Sequence, residues 1–166
     1  MLTKTTTSAI RVLLFLAERG EPGVVSPKTI AKALSISPTY MSKMAGSLAK
    51  AGILRTERGS KGGVALNTTP DQITLQSVYE ACQGVIVGNY CSSAADAKKV
   101  CAFHLASVQL HQAIVGVLGR WTLAHLLERP RSFAPGIAGH TCMMLGDSPR
   151  GDLVQLGVKR ERPPVR

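Results

Sequence analysis

SPKTIAKALSISPTYMSKMAGSLAKAGILRTERGSKGGVAL, residues 26–66, decides the fold. Twice within it a serine precedes a proline, at Ser26-Pro27 and at Ser37-Pro38. A serine hydroxyl accepts from the open amides of a first helical turn, and proline, with no N–H to waste, suits the first helical position. Each pair therefore starts a helix. The first is short, with Ile30, Ala31 and Leu34 inward, and the second runs to Ala51, where Gly52 stops it. Only Ser35-Ile36 separates them, which makes a helix-turn-helix. In the second helix Met41, Met44, Ala45, Leu48 and Ala51 form one stripe and Thr39, Ser42, Lys43, Ser47 and Lys50 lie opposite. A small, polar, uncharged-to-basic outer face suits insertion into a major groove. A solvated helical hairpin would show the same pattern, so both readings stand at this point.

The next residues separate them. ILRT (53–56) and VAL (64–66) read as two short strands around ERGSKGG (57–63). A helix-turn-helix followed by a basic, glycine-rich hairpin is a winged helix. Glycines let the hairpin tip adopt positive φ and lie against a duplex, while Arg58 and Lys61 offer charge to phosphates or to the minor groove.

Working outward, TTTSAIRVLLFLAER (5–19) places Ile10, Leu13, Leu14 and Ala17 on one helical face, widened by Val12, Phe15 and Leu16. This helix is expected to be mostly buried, with a turn at GEPG (20–23). Downstream, Thr74 caps a helix stapled by Ile73 and Val78 and ended by Gly84. Cys82 near its end reads as a buried small apolar residue rather than a reactive thiol. From about 102 to 119 Leu105, Val108, Leu110, Ala113, Ile114, Val117 and Leu118 spread over more than one face, which calls for burial on two sides. Crossing this helix with its twin in a homodimer is the simplest arrangement, and it fixes the spacing of two reading heads. Trp121 and TLAHLL (122–127) are expected to close that interface. The domains read as a winged helix-turn-helix over 1–84, a sensor loop over 85–101, dimerisation helices over 102–128 and a disordered tail over 129–166. That tail is rich in Pro, Gly and Arg; its GHTCMM (139–144) holds soft ligands, but one Cys/His pair is weak ground for a metal site. The fold class is mainly α with a small β-hairpin wing.

Charge follows the same division. The 166 residues carry a formal +10, of which +7 lies in residues 1–70, none in 71–130 and +3 in 131–166. A basic first domain points to a polyanion, with solvated lysines as the plain alternative. The start, Met1-Leu2-Thr3-Lys4, lacks signal-peptide features, and no apolar run approaches the roughly 20 residues of a membrane span, so the expectation is a cytoplasmic protein with no membrane partner. Four cysteines in that compartment leave metal binding, redox sensing and plain burial open. There is no phosphate-cradling glycine loop, no nucleophile elbow and no HExxH, so an enzyme is not expected. A protein-binding winged helix without a DNA target is the better competitor, and salt dependence separates the two.

AIRVLLFLAERG (9–20), IAKALSISPTYMSKMAGSLAKAGIL (30–54), RGSKGGVALN (58–67) and ITLQSVYEACQG (73–84) together resemble the Rrf family of winged-helix transcriptional regulators, the IscR/NsrR/CymR type. The RGxxGG wing and the I-S-x-x-Y helix start are the most specific pieces. The resemblance implies a bacterial homodimer that binds pseudo-palindromic double-stranded DNA operators, repressing or activating genes of iron-sulfur assembly or of iron, cysteine or nitric-oxide metabolism. It implies that Thr39, Ser42 and Lys43 face bases, that Arg58 enters the minor groove, and that Tyr40 touches phosphate or packs. Ser42 stands where one branch has a base-reading glutamate, which implies a different operator.

Many relatives place three cysteines in the segment matching YCSSAADAKKVCAFH (90–104) as iron-sulfur ligands. This chain has Cys91 and Cys101, with His104 three residues on, and lacks the middle cysteine. Three readings follow. Cys91, Cys101 and His104 hold a cluster, 2Fe-2S in preference to 4Fe-4S, completed by the other subunit or a small molecule. Or the two cysteines form a metal-free thiol switch, with Lys98 and Lys99 favouring thiolate and no cofactor. Or the site has lost its chemistry and answers to nothing or to a small ligand. In the first two readings, a change at the cysteines shifts the long helices and the heads attached to them.

Overall fold

A computed structural model describes residues 3–20, 23–59, 62–86 and 101–128 of the chain. Lys61, Cys91, Lys98, Lys99, Cys142 and the 129–166 tail lie outside the described residues. The elements run α1 (Lys4–Arg19), α2 (Pro27–Ala33), α3 (Pro38–Lys50), β1 (Leu54–Glu57), β2 (Gly63–Leu66), α4 (Leu75–Gln83), α5 (Ala102–Arg120) and α6 (Leu123–Glu128).

Four of these helices begin on the same local device. The hydroxyls of Thr3, Ser26, Ser37 and Thr74 accept from the amides of Thr6, Thr29, Tyr40 and Ser77, at 3.3, 3.2, 3.2 and 3.1 Å. Each satisfies an amide that has no partner inside its own helix. Gly20 ends α1 in the left-handed region at φ 60, where a side chain would be strained. The α2–α3 turn is tight, with Ser35 at φ 54, and Arg11 of α1 donates from Nη2 to the Leu34 carbonyl at 3.3 Å. One guanidinium thus satisfies an open carbonyl at the end of α2 and ties the turn to α1.

The core gathers Ile10, Leu13, Ile30, Met41, Leu48, Ile73, Val78 and Leu123, all but inaccessible to solvent. Each such side chain contributes on the order of 1.5–3 kcal/mol by leaving water. From Thr6 to Ile10 α1 is buried all round, so that Thr6, Thr7 and Ser8 are enclosed as well.

β1 and β2 pair antiparallel, Leu54 opposite Leu66 and Glu57 opposite Gly63. A third edge, absent from the sequence reading, comes from Val25, which exchanges two backbone bonds with Val64 at 2.8 and 2.9 Å. A Cβ on Gly63 would stand 2.5 Å from the Val25 carbonyl oxygen, so the close pairing requires glycine there. Strand β1 begins one residue later than expected, at Leu54, and Ala51 is exposed at the C-cap of α3 rather than part of its buried stripe.

The segment after α5 returns to this chain's own core, a placement that the sequence reading did not include: the Leu75 amide bonds the Trp121 carbonyl, the Leu123 amide bonds the Ile73 carbonyl, both at 2.8 Å, and Leu123 is 1% exposed, while Trp121 stays 40% exposed. The physical reason is that α6 packs on α1, giving its leucines an intramolecular partner. Among the described residues, helix α5 is covered on one side only. His104, Ser107, Val108, His111, Val115 and Leu118 lie on its more enclosed side, α4 packs against the helix, and Phe103, Leu110 and Val117 face out. By length and composition α5 would also reach across a bilayer.

Candidate nucleic-acid interface

Helix α3 buries Met41, Met44, Ala45 and Leu48 and turns Thr39, Ser42, Lys43, Gly46 and Lys50 to solvent. Three of the residues expected to meet bases, Thr39, Ser42 and Lys43, therefore share one exposed face near the helix's N-terminal end, where a recognition helix is read. Tyr40 is half-buried with its ring against the core, so packing accounts for much of it. The chain leaves α3 directly into the wing: the Ile53 amide bonds the Leu48 carbonyl at 2.9 Å, and β1 packs beside α3.

The wing explains its glycines. Gly59 stands at φ 114, and a Cβ on Gly62 would lie 2.3 Å from the Glu57 carbonyl oxygen. Both positions belong to the RGxxGG motif, and neither tolerates a side chain without rebuilding the loop. Arg55 is tied to Glu57, both about half exposed, whereas Arg58 follows directly on the end of β1 and is exposed. Lys61 is outside the described residues. The first helix of the pair adds exposed Lys28, Thr29 and Lys32, which the sequence reading passed over because it weighed α2 only for its inward residues.

Of the three residues named for the sensor, two are described. Cys101 is exposed at the N-cap of α5 and makes no capping bond. His104, one turn on, is 6% exposed, and among the described residues its Nδ1 has no hydrogen-bond partner. No group of three His, Cys, Asp or Glu side chains that would hold a metal forms among the described residues. Cys82 is half-buried on α4, and burial pushes its thiol pKa up, away from thiolate character.

The Rrf2 profile, described as an iron-dependent transcriptional regulator, matches residues 2–129. The chain belongs to the Rrf2 family. It is similar to the HTH-type transcriptional regulator NsrR of Geobacillus kaustophilus, 35% identical over 131 residues that cover 76% of this chain and 89% of that protein. Among solved structures, CymR, the global cysteine regulator of B. subtilis, superposes with a TM-score of 0.64 at 23% identity, covering 79% of this chain and 98% of CymR. T. potens IscR does so with a TM-score of 0.60 at 23% identity, covering 78% and 87%. These Rrf2 neighbours share the fold: mainly helical, with a two-stranded wing. As an Rrf2 protein, the chain is a winged-helix transcriptional regulator.

Proposed function

We propose that this Rrf2 protein acts in the cytoplasm as a homodimer on pseudo-palindromic duplex DNA. The observation that carries the reading is the exposed face of α3, polar and basic at Thr39, Ser42 and Lys43, directly ahead of a wing whose glycines are sterically required. Side chains this short let a helix lie deep in a major groove while Lys43 reaches a base edge or a phosphate. Arg58 and Lys61 then approach the flanking phosphates or the minor groove from the wing. Tyr40 braces the helix from its half-buried flank.

The second copy covers α5. Phe103 and Leu110 are 71% and 61% exposed, and Val117 and Trp121 continue an apolar surface along and just beyond the helix. A surface of this kind on a soluble regulator calls for a partner, and a two-fold axis through α5 sets two recognition helices at a fixed spacing. The same surface explains why α5 resembles a membrane span in composition.

Sensing falls to the start of α5. Cys101 and His104 lie one turn apart, an exposed thiol and an enclosed imidazole with an open nitrogen, and both suit a soft metal. Together with Cys91 they would hold an iron-sulfur cluster, which supplies redox or nitric-oxide reactivity when bound. Cys91 and Cys101 as a metal-free thiol pair is the second reading, and Cys101's exposure favours it. Both act through α5, whose first turn carries the ligands and whose later turns carry the dimer surface.

The test is selection of duplexes from a randomised pool by the full chain, followed by binding isotherms at several salt concentrations. The expected outcome is enrichment of two related half-sites about one helical turn or a multiple apart, with affinity falling steeply as salt rises. Failure to enrich any sequence above the starting pool would overturn the DNA-reading function.

A further inference from the structure

Glycine inside a helix is unfavourable relative to alanine, so each one asks for a reason. Three lie within the described helices. A Cβ on Gly119 would stand 3.2 Å from the Gln76 Oε1, a tight neighbour inside the chain itself. Gly46 in α3 and Gly116 in α5 are different, for a Cβ on either meets nothing within 4 Å. Neither has a positive φ. Nothing within the described chain accounts for their lack of a side chain, and both lie on exposed faces.

Gly46 is the more telling of the two. At 100° per residue it falls within about 60° of arc of Thr39, Ser42, Lys43 and Lys50, close to the middle of the solvent face and opposite the Met41, Met44 and Leu48 stripe. It sits between the base-facing residues of the first turns and Lys50 at the end of the helix.

We infer that Gly46 is the point at which the backbone of α3 comes closest to the duplex, and that its missing side chain sets how deeply the helix seats in the groove. The inference rests on the reading of α3 as the groove-reading helix. A Cβ at 46 projects from the middle of that face, where it holds the backbone off the duplex and lengthens the contacts of Ser42 and Lys43 on either side. Alanine is the best helix former and finds empty space here, so the free protein gains stability from the same change that harms the complex.

The experiment compares Gly46→Ala and Lys43→Ala with the unaltered full chain, using a duplex selected from a randomised pool as the probe. Two quantities are read: the thermal midpoint of the free protein and the affinity for that duplex. Gly46→Ala is expected to raise the midpoint by about 2–4 °C and to weaken specific binding about tenfold. Lys43→Ala is expected to weaken binding as well. Loss in both variants supports the inference. Loss in Lys43→Ala alone, with Gly46→Ala binding as well as or better than the unaltered chain, overturns the role of Gly46 and keeps α3 as the reading helix. No loss in either overturns the assignment of α3 itself. A lowered midpoint in Gly46→Ala overturns the premise that the site is open.

Discussion

Replacing Arg58 by alanine isolates the wing, because the residue is exposed past the end of β1 and takes no part in the core. Its contribution to binding is therefore electrostatic and can be read from salt dependence. Each phosphate neutralised on duplex DNA adds about 0.9 to the slope of log affinity against log salt. In the proposed dimer, one arginine on each of two wings gives a loss of slope of about 1.8 on substitution. A fourfold rise in salt, from about 50 to 200 mM, then narrows the gap between the two proteins by roughly tenfold, since the unaltered protein loses that much more of its affinity. The assay is fluorescence anisotropy on a labelled duplex at four salt concentrations, with sedimentation velocity to verify that both proteins have the same mass in solution. A slope unchanged within error would refute the wing's approach to the backbone. A slope lowered by about half the expected amount would mean that one wing of the pair engages.

Two further outcomes test the fold and the cysteines. Leu123→Ala should destabilise the chain by about 2–5 kcal/mol in chemical denaturation, because Leu123 fills this chain's own core; a loss appearing only as weaker self-association would return α6 to the interface. Iodoacetamide at mildly alkaline pH should label exposed Cys101 before half-buried Cys82 in a Cys91→Ala, Cys142→Ala background, with the difference vanishing in denaturant. Burial holds the Cys82 proton more tightly in the folded state than in the unfolded one, so its contribution to stability is complete below the ordinary thiol range and declines as pH rises through it.

What the sequence disclosed in advance is largely what is local. The caps of Ser26, Ser37 and Thr74 each close over three residues, so their signal is complete within a single turn of chain. The outer face of α3 was equally legible, since helical period alone separates Ser42 and Lys43 from Met41 and Met44. The pairing of Val25 with Val64 was not, because it joins residues far apart in the chain and Val25 carries no strand pattern around it. Gly46 was passed over for a related reason. A glycine in a helical pattern reads as weak propensity until the space around its Cα is known.

The two C-terminal helices show why period and placement are separate questions. Leucines and apolar neighbours recur at helical spacing in both α5 and TLAHLL (122–127), and from that pattern alone both face a partner. In α6 the partner is α1, reached because Thr122 pairs beside Thr74 and swings Leu123 inward. In α5 the side against α4 is covered, while among the described residues Leu110 and Val117 stay exposed, although they are as apolar as the leucines of α6. Hydrophobic pattern states the demand for burial; only the path of the chain states whether the same molecule meets it. Where the described elements leave apolar side chains exposed, as at Leu110 and Val117 on the outer side of α5, the same physics that folded α6 favours the association of copies proposed above.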